Sequence, residues 1–182
     1  AVEVDGETLE AKHIVLATGS EAMKLGIPGE EHLVDNEGFL EMESLPRRIV
    51  LVGGGYIAAE FSHIAARAGA EVTILQHGDR MLQGFDPDLV EWLMEKYEEL
   101  GVALHTGMEV ERVEQTGDAF RVTAGGEGGS RTFEADLVVH AAGRKPDFAP
   151  LDLETAGVEL RDGKLALNEY LQSTSNPAVY AA

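Results

Sequence analysis

The run GGGYIA at residues 53–58 constrains this chain more than any other part of its sequence. It directly follows the apolar run at residues 49–52 and directly precedes apolar residues at helical spacing. In a strand, glycine turn and helix of this kind, the first glycine allows the sharp bend and the second lets a pyrophosphate approach the backbone. A small third residue lets the helix pack on the sheet. We therefore expect Gly53, Gly55 and Ala58 to form a dinucleotide-binding turn.

The helix that follows this turn adds to the prediction. Its first residues, Tyr56 and Ile57, present free backbone N–H groups and the positive end of the helix dipole to a bound phosphate. Gly69 lies where a left-handed residue would end the helix. The glycine pattern alone would be weak, and the surrounding strand and helix make it specific.

The elements around the turn alternate between strand and helix. Apolar runs predict strands at residues 49–52, 72–75 and 102–105, with helices between them that carry apolar faces, and Ile64 falls on the predicted apolar face of the first helix. Asp86 and Pro87 mark the start of the second helix, whose predicted apolar face includes Leu89, and Trp92 is expected to pack. This order is typical of an α/β fold with a Rossmann-like parallel sheet.

The stretch after the third strand changes character. Apolar residues alternate with charged ones between residues 110 and 133, and glycine-rich turns divide the stretch. We expect an antiparallel β-meander, followed by a buried strand at residues 137–139. Together these elements predict a Rossmann-like parallel sheet with a β-meander.

Composition excludes several other classes of protein. The chain has 14 Lys and Arg against 33 Asp and Glu, which gives a net charge of −19 and repels nucleic acids and anionic lipids. No apolar stretch reaches the roughly 18 residues that a membrane span needs. The chain has no cysteine, so it carries no disulfide or thiolate site, and its six histidines show no metal-ligand spacing. We expect a cytoplasmic protein without a metal site.

The end of the second strand bears on which nucleotide binds. An acid there would favour a free ribose 2′-hydroxyl, as in NAD or in a methyl-donor nucleoside, whereas cations would favour the 2′-phosphate of NADP. The chain has Gln76 and His77 at these positions, and Arg80 follows. Gln76 can bond to either group, so the residues alone leave the choice of nucleotide open.

Four separated motifs together resemble one family. They are IVLATGS at residues 14–20, GGGYIAAEF at 53–61, AAGRKPD at 141–147 and SNPAVYAA at 175–182. In this order they are similar to the class I flavin-dependent pyridine nucleotide-disulfide oxidoreductases, which include glutathione reductase, dihydrolipoamide dehydrogenase and mercuric reductase. The resemblance covers nearly the whole chain, and it implies a three-layer ββα domain of the FAD/NAD(P)-binding type.

The resemblance implies a domain organisation. Residues 46–145 would form the NAD(P)-binding domain, inserted between an outgoing segment of the FAD domain at residues 1–45 and a returning segment at 146–182. Thr18 and Gly19 would lie beside the FAD. The FAD fingerprint, the redox-active cysteines and a C-terminal dimerisation domain would lie outside this chain. The parent would then be a homodimer, and the chain alone would be inactive.

The resemblance also implies roles for individual side chains. Tyr56 would cover the nicotinamide pocket, and Glu60, one helical turn later, would lie near the carboxamide; both would be catalytic residues. Gly143 would leave room for the cofactor, and Arg144 would contact it or form an ion pair.

Relatives that use NADPH usually carry arginines where this chain has His77 and Gln83, and relatives that use NADH carry an acid where it has Gln76. The chain follows neither pattern. With Arg80 as a further cation, we expect NADPH, bound less tightly as the pH rises past about 7 and His77 loses its proton.

The implied reaction passes a hydride from NADPH to FAD and on to a disulfide-type acceptor. Two alternatives remain open. One is an NADH-linked dihydrolipoamide dehydrogenase, a mercuric reductase or an NADH oxidase relative. The other is a non-catalytic nucleotide-binding redox module.

Overall fold

The computed structural model describes every residue from Ala1 to Ala182. The chain forms two compact units. The central unit comprises residues Ala22–Arg144, and the two-segment unit comprises Ala1–Glu21 and Lys145–Ala182. None of the helices has the length and apolar character needed to cross a membrane.

The elements are numbered in chain order. The helices are α1 Asn36–Leu40, α2 Tyr56–Arg67 and α3 Pro87–Glu99, with a short 3-10 helix at Glu30–His32. The strands are β1 Val2–Val4, β2 Glu7–Leu9, β3 Ile14–Leu16, β4 Ser20–Ala22, β5 Arg48–Val52, β6 Glu71–Leu75, β7 Ala103–His105, β8 Glu109–Thr116, β9 Ala119–Gly126, β10 Gly129–Ala135, β11 Leu137–His140, β12 Arg144–Pro146, β13 Leu160–Arg161, β14 Lys164–Leu165 and β15 Val179–Ala181.

A four-stranded parallel sheet lies at the centre of the central unit. Its strand order is β11-β5-β6-β7, and Val50 of β5 stands between Val138 and Thr73 of its neighbours. Residues 49–52 are all buried, because both faces of β5 are covered, and this explains the apolar run without alternation. The predicted Rossmann-like parallel sheet is confirmed.

The helix boundaries follow local sequence signals. The Asp86 side chain accepts hydrogen bonds from the backbone N–H groups of Asp88 and Leu89, and Pro87 occupies the first turn of α3. Helix α2 ends at the predicted glycine, since Gly69 has a φ of 97°. Both predicted boundaries are confirmed.

The helices cover one face of the parallel sheet. Leu51 and Ile74 of the sheet belong to the same buried cluster as Phe61 of α2 and Tyr97 of α3. Phe39 of α1 stacks on Phe61 with ring centroids 4.2 Å apart. The Tyr97 hydroxyl donates a hydrogen bond to the carbonyl oxygen of Ala59, which joins α3 to α2.

A meander covers the other face. Strands β8, β9 and β10 form an antiparallel sheet in the order β10-β9-β8. Val122 and Ala135 of this sheet are buried in one cluster with Val50 and Val138 of the parallel sheet. Helices, parallel sheet and meander are therefore stacked in that order, which confirms the predicted three-layer arrangement.

Residues 22–45 lie in the central unit. The backbone N–H of Val34 donates to Val138, and the backbone N–H of His140 donates to Val34, at 2.9 and 2.8 Å. Gly29 packs so closely that a Cβ there would lie 1.8 Å from the carbonyl oxygen of Val113. The boundary at residue 45 given by the sequence analysis thus falls inside this unit, and the assignment of FAD and NAD(P) domains stays a prediction.

The two-segment unit brings the ends of the chain together. Strand β3 pairs in parallel with β15, with Ile14 opposite Val179. The Thr18 hydroxyl donates to the carbonyl oxygen of Asp147 at 2.6 Å, and the carbonyl oxygen of Gly19 accepts from the Asp147 N–H. These bonds fix Thr18 and Gly19 relative to the returning segment.

Three apolar helix residues are more exposed than the sequence analysis expected. Ile64, Leu89 and Trp92 are 55%, 59% and 67% exposed, so the prediction that they pack in the core is wrong. In α2 the small residues Ala58 and Ala65 are fully buried. Their size lets the helix lie close to the sheet on a face that leaves Ile64 at its edge.

The bond between Tyr97 and Ala59 generates a stability prediction. We expect Tyr97→Phe to lower the free energy of unfolding by about 1 kcal/mol, because a buried hydrogen bond is lost while the ring still packs. Chemical denaturation measures this difference. Tyr170→Phe is the matched control, since Tyr170 is 73% exposed, and equal effects of the two substitutions would contradict the prediction.

A second stability prediction concerns His105. Its ring lies 5.1 Å from the Phe133 ring, and Arg131 Nη1 is 3.5 Å from its Nδ1. Burial lowers the pKa of His105 below its ordinary value of 6.5, and the charge of Arg131 lowers it further. As the pH decreases, the unfolded chain therefore binds a proton at His105 before the folded chain does. The contribution of His105 to the free energy of unfolding falls as the pH decreases below about 6.5.

We expect His105→Gln to lose less free energy of unfolding between pH 7 and pH 5 than the unmodified chain. Denaturation at a series of pH values measures the two slopes. Arg131→Gln should also reduce the slope, because it removes one cause of the lowered pKa. Identical slopes for all three chains would contradict this prediction.

Candidate functional site

A cleft of about 240 Å³ opens at the carboxyl ends of β5 and β11 in the central unit. This is the edge at which parallel α/β sheets hold their ligands. The glycine turn, residues 53–55, and the start of α2 form one side of the cleft. The other lining residues are Gln76, His77, Leu82, Gln83, Ala141, Ala142, Gly143 and Arg144.

Gly53 is required by the fold itself. Its φ is 106°, and a Cβ at this position would lie 2.4 Å from the carbonyl oxygen of Ala141. Its backbone N–H donates to the carbonyl oxygen of Leu75 at 2.8 Å. Any side chain at residue 53 would therefore separate the turn from the end of β11.

Gly55 differs because nothing in the fold requires a glycine there. Its φ is −84°, which any residue adopts, and a Cβ would meet only the Ala141 carbonyl oxygen at an ordinary 3.7 Å. Gly55 nevertheless lines the cleft. The space that a Cβ would fill belongs to the cleft and suits the close approach of a pyrophosphate to the backbone.

The charges around the cleft also suit an anion. Gly55 caps α2 without a side-chain hydrogen bond, and the first turn of α2 has no acid. The positive end of the α2 dipole therefore lacks a side-chain acceptor at the cleft. None of the residues that line the cleft is an Asp or Glu, although the chain has 33, and Arg144 adds a cation. The residues present thus fit the pyrophosphate of a dinucleotide.

The structure separates the two predicted catalytic residues. Tyr56 lines the cleft and is 56% exposed, so its ring is free to pack on a ligand. Glu60 is exposed and does not line the cleft. Burial raises the pKa of Tyr97 in α3, and the charge of the Glu60 carboxylate also raises it. Ile57 lines the cleft, and Ala58 is fully buried against the sheet.

Gln76 packs across the glycine turn. Its side chain is buried, and its Nε2 donates to the carbonyl oxygen of Arg80 at 3.2 Å. A Cβ on Gly54 would lie 2.9 Å from both Cδ and Oε1 of Gln76. The middle glycine of the turn is therefore needed for this contact, a requirement that the sequence analysis missed.

The two predicted cations of the ribose region have different surroundings. His77 is exposed and lines the cleft. The Arg80 guanidinium donates through Nη2 to the carbonyl oxygens of Gln83 and Phe85, at 2.7 and 3.4 Å. Arg80 does not line the cleft.

Gly143 and Arg144 lie between the end of β11 and the start of β12, with Arg144 as the first residue of β12, and both line the cleft. Gly143 has a φ of 112°, so its backbone conformation favours glycine whatever the ligand. Arg144 donates a hydrogen bond from Nη1 to Oδ1 of Asn36.

Thr18 and Gly19 belong to the two-segment unit. Gly19 has a φ of 71°, and a Cβ at this position would meet no neighbouring atom.

Leu82 is another cleft residue that the sequence analysis missed. It has a φ of 50°, which is rare for leucine, and its backbone N–H donates to the carbonyl oxygen of Gly54 at 2.8 Å. No sequence signal indicates such a conformation, because leucine seldom adopts it.

No three His, Cys, Asp or Glu side chains form a group that could hold a metal ion.

Comparison with known proteins gives consistent results. The family described as "Pyridine nucleotide-disulphide oxidoreductase" matches residues 1–182. A mercuric reductase of Staphylococcus aureus is 37% identical over 184 residues, which covers 100% of this chain and 34% of that protein. A dihydrolipoyl dehydrogenase of Bacillus subtilis is 37% identical over 179 residues, which covers 96% of this chain and 38% of that protein.

Solved structures show the same similarity. The Cu(II) complex of the HOCl-induced flavoprotein disulfide reductase RclA from Escherichia coli matches with a TM-score of 0.84 and 27% identity. The match covers 99% of this chain and 41% of that one. The chain thus spans about a third to two-fifths of the length of the relatives it matches.

The contrast between the two outer glycines of the turn can be tested directly. We expect Gly55→Ala to keep the folded structure, with a melting temperature within about 4 °C, and to weaken dinucleotide binding at least about tenfold because the methyl group displaces the pyrophosphate. Gly53→Ala should instead destabilise the fold. Thermal denaturation and calorimetric titration with NADH and NADPH measure both effects. Unchanged affinity of Gly55→Ala for both nucleotides would contradict this assignment.

Proposed function

The chain belongs to the pyridine nucleotide-disulphide oxidoreductase family, and from this membership we propose that its cleft binds the nicotinamide dinucleotide of a larger flavoprotein oxidoreductase. The rest of that protein would contribute the remaining FAD contacts and the acceptor site. The chain alone would bind the dinucleotide without catalysing turnover. We also propose that the parent is a cytoplasmic homodimer whose dimerisation domain lies outside this chain.

The observation that carries this proposal is the geometry at Gly55. A glycine with an ordinary φ and no packing demand keeps open the part of the cleft that faces the start of α2. Both the open space and the absence of lining acids favour a phosphate-bearing ligand.

Residues of the cleft and of helix α2 have distinct roles in placing the dinucleotide. The first N–H groups of α2 bind the pyrophosphate, and the Arg144 guanidinium balances part of its charge. The Tyr56 ring packs over the nicotinamide and excludes water from it. Glu60, one turn later on α2, is proposed to orient the carboxamide after the nicotinamide has bound.

The cleft residues would hold the nucleotide, which would supply a hydride for FAD and, through FAD, two electrons for a disulfide-type acceptor. The protein contributes placement of the reacting groups in this scheme. Thr18 and Gly19 are proposed to lie beside FAD. They would contact it through main-chain atoms, because the Thr18 hydroxyl donates to Asp147 and a Cβ at Gly19 would meet no neighbouring atom.

We propose that NADPH is the preferred nucleotide and that His77 provides the contact to its 2′-phosphate. His77 is exposed at the cleft, and the other residues of its loop that line the cleft, Gln76, Leu82 and Gln83, carry no charge. A protonated imidazole attracts the phosphate, and a neutral one attracts it less. The preference should therefore weaken as the pH rises.

Titration of the chain with NADPH and NADH tests both parts of this proposal. At pH 6 we expect NADPH to bind about fivefold more tightly than NADH, an effect typical of one exposed charge pair, and the difference should shrink by pH 8. His77→Gln should remove the pH dependence. His63→Gln is the control, because His63 lies on α2 and does not line the cleft.

The outcomes separate the two claims. If the chain binds neither nucleotide, the proposed function is wrong. If it binds both with equal affinity at every pH, the nucleotide site stands and the preference for NADPH is wrong.

A further inference from the structure

The segment between β6 and α3, residues 76–85, forms one wall of the cleft through Gln76, His77, Leu82 and Gln83. We call it the 76–85 loop. Two backbone hydrogen bonds attach its start to the segment before β8: Gly107 N–H donates to Gly78 at 2.9 Å and Met108 N–H donates to Gln76 at 3.0 Å. Met81 fixes the middle of the loop, because its side chain is fully buried.

Arg80 holds the second half of the 76–85 loop. Its Nη2 reaches the carbonyl oxygens of both Gln83 and Phe85, and its own carbonyl oxygen accepts the bond from the Gln76 side chain. One residue thus joins the start of the loop to its end. The bonds to two carbonyl oxygens use the planar, multi-donor geometry of a guanidinium, which the single ammonium of lysine does not reproduce.

The position of the guanidinium argues against a direct contact with the nucleotide. Arg80 does not line the cleft, and its Nη1 is buried without a hydrogen-bond partner. Its Nη2 is already bonded to two loop carbonyl oxygens, and its Nη1 has almost no exposed surface from which to reach a ligand. The positive charge of Arg80 is therefore directed at loop carbonyls.

The loop is connected to the glycine turn through Leu82. The N–H of Leu82 donates to Gly54, and the N–H of Phe85 donates to Leu82, each at 2.8 Å. Leu82 keeps a positive φ that costs energy for a leucine, so the surrounding bonds must maintain it. Without the Arg80 bonds, the carbonyl groups of Gln83 and Phe85 would lose their side-chain donor. Leu82, which lies between Arg80 and these residues in the chain, would then no longer be held against the glycine turn.

We infer that Arg80 is a positioning residue, which sets the ribose side of the cleft by holding the 76–85 loop and does not act as a ligand of the 2′-phosphate. This inference rests on the proposed nucleotide binding. It separates Arg80 from His77 and replaces the sequence-based expectation that Arg80 supplies a cation to NADPH. The predicted consequence is that Arg80 affects NADH and NADPH equally.

The test compares Arg80→Met, Arg80→Lys and the control Arg67→Met, a substitution at the end of α2 away from the cleft, in the full chain. Calorimetric titration gives the dissociation constants for NADH and NADPH. We expect Arg80→Met to raise both constants about tenfold, the effect of one or two lost hydrogen bonds, with their ratio unchanged within about twofold. Arg80→Lys keeps the charge and should fail to restore affinity.

Hydrogen exchange provides a readout that does not depend on binding. In the unmodified chain without nucleotide, the amides of Leu82 and Phe85 should be protected, and both Arg80 substitutions should reduce that protection while the melting temperature stays near that of Arg67→Met. If these amides exchange as fast in the unmodified chain as in an unstructured segment, the inference is overturned. This measurement needs only the unmodified chain, so it stands even if a substituted chain fails to fold.

Two further binding results would also overturn it. One is that Arg80→Met weakens the binding of NADPH alone and Arg80→Lys restores it, which would make Arg80 a phosphate ligand. The other is that Arg80→Met leaves both dissociation constants unchanged. If the unmodified chain binds neither nucleotide but the exchange results hold, the proposed function fails while the role of Arg80 in holding the loop is supported.

Discussion

The close approach of two chain segments at the end of the parallel sheet determines most of what this protein can do. The backbone at Gly53 passes so near to Ala141 that no side chain fits between them. The chain leaves β5, turns and begins α2 within three residues, and this turn aims the first N–H groups of α2 at the space beyond the sheet. The anion-binding geometry follows from this contact because a wider separation would move α2 away from β11.

The contact depends in turn on a sheet that is covered on both faces. Helices α2 and α3 pack on one side and the meander packs on the other, so residues 49–52 of β5 are buried in two clusters. A doubly covered strand has little freedom to shift along its neighbours. The bond between Tyr97 and Ala59 adds a direct link between the two helices. The rigid sheet and helices thus hold the glycine turn in one position.

Electrostatics distinguishes the cleft from the rest of the molecule. With a net charge of −19, most of the surface repels anions, whereas the lining of the cleft contains no carboxylate and includes Arg144. A phosphate-bearing ligand is therefore attracted at one place and repelled at others. The 76–85 loop contributes neutral amides and His77 to this lining, while the charge of Arg80 is used within the loop.

The sequence alone determined the order of elements from β5 to β11, the parallel sheet, the meander and the position of the glycine turn, because hydrophobic period, helix caps and glycine spacing are local properties. Only the tertiary structure decided which face of each helix is buried, which left Ile64, Leu89 and Trp92 exposed. It also decided the positive φ of Leu82, the need for Gly54 beside Gln76, and the direction of the Arg80 side chain. Most of these features arise from contacts between segments distant in the chain or from a strained backbone, and the Arg80 bonds depend on the loop conformation in which they form. No local pattern of residues encodes them.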